Sequence, residues 1–415
     1  MMLLLLLPWP LVALLAPGAA GPAPPLPTPL RLVQVLQLAR EHRAEITAAR
    51  ARARAAAQRP ALVSALEDPM IMPSLDHIPF GMPGVAWSVQ VEQRFPLSSV
   101  RGHRRHGAEA EALRLRADSD RVALDVELAA ANAFFMLHER RQMTQILEEQ
   151  RRLATQLVTT SLARYAAGSG QQADVLRAQI EVARTSGALR ALRAEVRGAE
   201  AMLLASLGAP ADGDVPVLDG GFSDEAPPNA AVVRQAALAS RPELRAGRAE
   251  IDRARAEVAV MDSMYAPMAL VRTGPAYTMN EGAGWMVMFG LSLPIWRGRL
   301  RAGVAEAEAM VEMAQADLAA MRRMTEGDAL AAREQVVAAR ERLLAVRDEV
   351  LPIAKQAIQP TLAGYAAGQL PLVSVIEAAS ALWSAQNEFV SAEVALGMAW
   401  ARLYRSTGEQ GGRTP

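Results

Sequence analysis

The chain has 415 residues, enough for two or three ordinary domains or one extended one, with 44 basic and 44 acidic side chains and a formal net charge of zero. No global basic field exists to attract nucleic acid or an anionic membrane surface. Cysteine is absent, which excludes disulfides, thiolate metal sites and a cysteine nucleophile; aromatics are only 4%, and the Ala, Leu, Arg and Glu excess favours long helices over a large globular core.

The chain opens on an apolar run, Leu3 to Leu15, followed by Gly18-Ala19-Ala20. This pattern predicts an export signal over residues 1–20. The Pro-rich stretch 21–29 then reads as an extended tether. No later segment offers 18 uninterrupted apolar residues, so no second membrane-helix candidate exists.

A first short helix is predicted from Leu30 to about Gln58, then a strand pair. The first strand, about 61–72, is poorly patterned. The second, about 85–95, alternates cleanly: Val85, Trp87, Val89 and Val91 on one face, Ala86, Ser88, Gln90 and Glu92 on the other. From about 99 to 165 neither proline nor a glycine cluster interrupts the chain, which predicts a helix of about 100 Å at ~1.5 Å per residue. A turn follows, then a helix over about 171–207. Ser169-Gly170-Gln171-Gln172 fits a capping box with Ser169 as N-cap. The Pro-, Gly- and Asp-rich stretch 208–229 reads as a lateral loop.

The second half, 230–408, says the same thing again. Leu162-Ala163-Arg164-Tyr165-Ala166-Ala167-Gly168 returns as Leu362-Ala363-Gly364-Tyr365-Ala366-Ala367-Gly368, an offset of 200, and Trp87 and Pro96 return as Trp285 and Pro294 at an offset of 198. A helix over about 231–261, strands over about 266–278 and 285–293, a long helix over about 298–364 and a helix over about 371–406 are predicted. Residues 409–415 read as a flexible tail. Leu300, Val304, Ala307, Val311, Ala314, Leu318 and Met321 are spaced as a coiled-coil seam. Pro352 and Pro360 should bend the second long helix. Pro371 suits a first helical position. Each half is therefore one continuous helix beside two stacked half-length ones.

The alternating strands present apolar faces that no helix needs, so a lipid-facing band with a polar interior fits them. Trp87 and Trp285 sit where interface aromatics would. Four strands cannot close a barrel, since about eight is the practical minimum, and open edges are not tolerated in lipid. Membrane-embedded strands therefore demand an oligomer.

These residues resemble the TolC-like outer-membrane efflux proteins. The carriers are the duplication, Phe95-Pro96-Leu97 and Leu293-Pro294-Ile295 at strand ends, and the helix starts Ala108-Glu109-Ala110-Glu111-Ala112 and Ala305-Glu306-Ala307-Glu308-Ala309. The turns at Tyr165–Gly168 and Tyr365–Gly368, followed by Asp174-Val175-Leu176 and Ser374-Val375-Ile376, complete the set. The resemblance implies a mainly α protein with a small membrane β part: a homotrimer forming a twelve-stranded outer-membrane barrel, four strands from each copy, on a helical tube through the periplasm. It implies a channel, not an enzyme, of a tripartite efflux or secretion system that receives small molecules or, as in the family's heavy-metal efflux branch, metal ions from an inner-membrane pump through a periplasmic adaptor, with no cofactor. The competing expectation is a periplasmic coiled-coil adaptor or scaffold without a barrel.

The two turns lie farthest from the strands. In this family that end closes the channel and meets the adaptor, so Tyr165, Gly168, Gly170, Asp174, Tyr365, Gly368 and Ser374 are the candidate gate and contact residues. Three copies of Asp174 around an axis would set a carboxylate ring in the constriction; otherwise Asp174 stabilises its own helix N-terminus. The second turn has Ser374 at that position. Basic residues follow each strand pair: Arg101, Arg104 and Arg105 with His103 and His106, then Arg297, Arg299 and Arg301. Arg101 and Arg299 are expected at the periplasmic membrane border. Nineteen methionines include Met70, Met72 and Met82 around the first strand pair and Met261, Met264, Met268, Met279, Met286 and Met288 around the second. Met286 and Met288 fall on the predicted lumen side, where thioethers suit Cu(I) or Ag(I); the alternative is apolar filler. His103 and His106 supply two ligands and no third. No catalytic constellation stands out from helix-surface charge.

Overall fold

A computed structural model describes residues 26–76, 86–220, 224–278 and 281–409. The expected export signal, most of the 21–29 tether, the strand-pair connection within 77–85 and nearly all of the terminal tail lie outside the described residues.

Helix makes up most of the described residues. In chain order the first half holds β1 (Leu30–Arg31), α1 (Leu32–His42), α2 (Ala44–Ser64), β2 (Met70–Asp76), β3 (Ala86–Pro96), α3 (Val100–Ala166) and α4 (Gln172–Ser206). After β4 (Leu218–Asp219) the second half repeats the plan with α5 (Ala230–Ser240), α6 (Pro242–Ser263), β5 (Met268–Thr278), β6 (Gly282–Ser292), α7 (Arg297–Ala345), α8 (Leu351–Ala366) and α9 (Leu372–Thr407). A π turn, Val346–Val350, joins α7 to α8. At ~1.5 Å per residue, α3 is about 100 Å long, and the α7–α8 run matches it.

Three sequence expectations are corrected. The first strand does not begin near 61: α2 continues through Pro60 to Ser64, and the strand is Met70–Asp76. Ser169 does not cap α4; Gln171 is the N-cap, without a side-chain bond, and Ser169 Oγ donates instead to the Arg164 carbonyl, 3.2 Å away. The residues after Gly168 are spent closing the end of α3. Pro371 is likewise the N-cap of α9, one position before the helix proper. Near Pro352 the helix does depart from α geometry: the π turn absorbs the amide that proline lacks.

The helices stand side by side as staves. α3 lies between α2 and α6 toward the strands, and between α4 and α9 toward the turns; α7 packs on α6 and then α9. Ala110 and Ala117 of α3, and Leu300, Ala307 and Ala314 of α7, are buried in these contacts. Small side chains let neighbouring helices approach closely. Midway along, α1, β1, β4 and the loop around 215 lie on one face of α3. There Leu30, Val35, Ala39, Ala131, Phe134 and Leu203 form the largest core. In the second half α5 lies against α7, and Arg333 and Arg340 of α7 donate to the Pro228 and Asp224 carbonyls of the loop before α5.

The sheet caps one end in the order β2-β3-β5-β6, all antiparallel. Along β3 burial alternates: Ala86, Ser88, Gln90 and Glu92 are covered, Trp87, Val89 and Val91 exposed. The covered face is polar and internally bonded. Ser74 Oγ lies 2.7 Å from Ser88 Oγ, and Arg272 donates to Glu92 at 2.6 Å. Both outer strands, β2 and β6, have an unpaired edge.

Candidate functional site

The two turns close with the same hydrogen bonds. Ala167, Gly168 and Ser169 amides bond back to Ala163, Tyr165 and Arg164, and Ala367, Gly368 and Gln369 amides bond to Ala363, Tyr365 and Gly364. Gly168 and Gly368 sit at φ +70° and +77°, the left-handed region where an L side chain costs ~1–2 kcal/mol. A Cβ on Gly170 would lie 3.0 Å from the backbone and side chain of α3.

The side chains at the turns are not alike. Tyr365 is 2% exposed and Tyr165 48%. Tyr365 packs with Leu157, Ala178, Leu372 and Val375 in a small core that joins both hairpins. Arg164 spans the hairpins: its guanidinium lies 4.7 Å from the centre of the Tyr365 ring and donates Nη1 to the Tyr365 carbonyl. Asp174 lies in the first turn of α4, 3.8 Å from Arg177. Burial first, and the Asp174 carboxylate second, push the Tyr365 phenol above its ordinary value, with Arg164 pulling the other way. Asp174 thus stands beside the Arg164–Tyr365 contact. Ser374 occupies the matching place in α9, its amide bonded to Pro371. Arg164 escaped sequence reasoning. The signal was the one strongly divergent position in the repeated heptapeptide, Arg164 against Gly364.

At the other end the exposed face of the sheet is apolar over its whole height. Trp87, Tyr277 and Trp285 form a band far from the helices, and Phe95 and Leu291 are exposed on the same face at the end beside them. From Trp87 to Phe95 is about 27 Å at ~3.4 Å per residue, close to the apolar height of a membrane barrel. Trp285 also donates Nε1 to Thr273 at 2.7 Å. No helix among the described residues is long and apolar enough to cross a membrane.

Met286 and Met288 lie on the inner face, opposite Gly274 and Arg272, and Gln90 Nε2 is 3.1 Å from the Met286 sulfur. His103 Nε2 is engaged with Ser99 Oγ at 2.7 Å. Among the described residues no group of three or more carboxylates and imidazoles is placed to hold a metal ion.

Between the sheet and the helices lies a cavity of about 520 Å³. Arg101 reaches it while donating Nε to the Ser64 carbonyl, and Arg299 lines it from α7. The first turns of α3 and α7 hold these arginines and no acidic residue, and neither N-cap, Ser99 or Trp296, caps with its side chain. A cation in a first helical turn opposes the macrodipole by ~0.3–1 kcal/mol.

The stave layer, the sheet with its polar covered face and the paired turns make up a fold that this chain shares with solved outer-membrane proteins. Residues 233–409 match the family described as outer membrane efflux protein. The resemblance read from the sequence to the TolC-like efflux proteins stands on that match and on the fold. The solved structure of CusC has a TM-score of 0.80 at 16% identity, covering 91% of this chain and 92% of that one. The outer membrane protein VceC of Vibrio cholerae gives 0.77 at 16% identity over 91% and 96%. The CmeC outer membrane channel of Campylobacter jejuni gives 0.76 at 13% identity over 92% and 87%. No curated protein matches the sequence.

Proposed function

We propose that the chain is the outer-membrane exit duct of a tripartite efflux system, working as a homotrimer with a periplasmic adaptor and an inner-membrane pump. The observation that carries this reading is a four-stranded sheet with an apolar outer face, a polar inner face and two unpaired edges, set on staves about 100 Å long. Lipid offers no partner to a free strand edge. Joining β6 of one copy to β2 of the next continues the antiparallel order and closes twelve strands.

The helices support the same junction. The free edge of α2 exposes Ala48, Ala51, Ala55 and Leu62, and the free edge of α7 exposes Ala302, Ala305, Ala309, Ala316 and Ala320. Nearer the turns Leu162, Leu176, Ile180 and Ile353 are exposed as well. Three copies would cover these stripes against one another. The gate is then at the turns, where Arg164 and Tyr365 hold the two hairpins of each copy together, with the Asp174 carboxylate nearby. Adaptor binding at Gly168, Gly170 and Gly368 would part them. Trp87 and Trp285 meet the membrane interface, and Arg101 and Arg299 mark its periplasmic side. The same geometry leaves Met286 and Met288 facing the lumen, available to a soft metal ion in transit.

Cell fractionation followed by gel migration of unheated and heated protein tests the reading. A detergent-soluble outer-membrane trimer that collapses on heating supports it. A soluble periplasmic monomer or dimer refutes it in favour of a scaffold.

A further inference from the structure

We infer that the neck between barrel and tube holds a binding site for an anionic group carried on an apolar body. This deepens the channel reading by assigning a chemical class of ligand to its lumen. The 520 Å³ cavity lies on the inner side of the sheet: Arg94 follows Glu92 on the covered face, and the rung Pro96, Met268 and Ser292 roofs it. Arg94, Arg101, Arg104 and Arg299 line it against a single acid, Glu67. Arg94 is 3.2 Å from Glu92, but Glu92 is already claimed by Arg272 at 2.6 Å, and Arg101, Arg104 and Arg299 form no ion pair among the described residues.

Two features beyond the arginine count point to an anion. The N-termini of two long helices, α3 and α7, open beside the cavity without a side-chain cap; at α7 the Arg297 and Arg299 amides bond to the Ile295 and Trp296 carbonyls, and the dipole at both ends favours negative charge. Those first turns carry arginine where the dipole favours acid. Such a local conflict is relieved when an anion sits between amides and guanidinium groups. The remaining walls are mostly apolar, including Leu66, Met268, Leu293 and Trp296, with Ser98, Ser263 and Ser292 among them. A sulfonate, carboxylate or phosphate on an aromatic or aliphatic body satisfies both halves. It can come from cargo in the lumen or from a lipid headgroup.

The test titrates the purified protein in maltoside detergent with 1-pyrenesulfonate and with uncharged 1-pyrenemethanol, following energy transfer from tryptophan. Wild type should bind the sulfonate roughly tenfold more tightly or better. The combined Arg94→Gln, Arg104→Gln and Arg299→Gln variant should bind both probes alike. Arg105→Gln, whose side chain pairs with Glu109 at 2.8 Å away from this cavity, should behave as wild type. Lipid extraction and mass spectrometry separate the sources. An anionic phospholipid retained by wild type and lost from the triple variant supports the site and assigns it to lipid. Probe binding without retained lipid supports it and assigns it to cargo. Equal binding of the two probes by wild type, or unchanged sulfonate binding by a triple variant that keeps the wild-type gel migration, overturns it. The cavity lies within one chain, so it can bind where trimer formation fails, and a trimer can form where binding fails.

Discussion

Removing the Arg164 side chain should open the tip. Its two contacts with Tyr365 are a cation–π approach at 4.7 Å and a charge-assisted hydrogen bond to the carbonyl. The first contributes ~0.5–2 kcal/mol and the second ~1.5–3 kcal/mol. Arg164 is partly open to water, so about 2–3 kcal/mol per copy is a fair sum. If three copies release together, Arg164→Ala removes ~6–9 kcal/mol from the closed state, enough to shift the closed-to-open ratio by ~10⁴ or more. Single-channel conductance in planar bilayers reads this directly, and susceptibility of cells to vancomycin, too large for a shut tip, reads it in vivo. Arg164→Lys keeps the charge and loses the flat stacking surface, so it should fall between the two. A trimeric Arg164→Ala protein with wild-type conductance and unchanged vancomycin exclusion would refute the clamp.

Other outcomes follow from packing and charge. Val89→Arg or Phe289→Arg sets a cation on the exposed face of the sheet, where it costs ~2–4 kcal/mol at mid-membrane; heat-modifiable trimer should disappear from the outer membrane, whereas a soluble rod would tolerate either change. Gly368→Ala forces alanine to φ +77° and should lower stability by ~1–2 kcal/mol, seen as a lower midpoint in thermal unfolding. Glu243 is half-buried, which alone would raise its pKa, but hydrogen bonds from Arg405 and its backbone hold it below the ordinary 4.5. Its contribution is therefore present above about pH 4.5 and lost as pH falls through the lower folded-state value. Arg405→Met should cost about 2–3 kcal/mol at pH 7, less than the ~3–5 of a fully buried pair because Glu243 keeps some water and Arg241. It should also invert the sign: the variant gains stability on acidification toward pH 4.5 where wild type does not, and parallel denaturant titrations at pH 7 and 5 decide.

The first long helix was legible because nothing breaks it and the second because only a π turn before Pro352 interrupts it, and the duplication was legible because both turns need the same glycine. The alternation in β3 and β6 reported the sheet and its apolar face. β2 was misplaced because Pro60 reads as a stop, yet the proline is accommodated and the apolar residues after it finish α2. The capping box failed for a related reason: a serine near two helix ends can serve either, and here the outgoing helix claims it. Pairings across the fold carry no local signature. Arg164 meets Tyr365 only because two hairpins distant in sequence are neighbours in space. Arg101, Arg104 and Arg299 were visible as basic clusters and Arg94 was not, and their convergence on one cavity depends on how strand ends meet helix starts.

On the channel reading, the unpaired edges of β2 and β6 also bear on how the protein would enter a membrane. A lone copy would carry two rows of unbonded amides and carbonyls into hydrocarbon, and a pair of copies would still carry two. Only the third copy removes the last exposed row. On the proposed trimeric-channel reading, insertion and assembly are therefore coupled, because any partial assembly would leave strand edges unbonded in lipid.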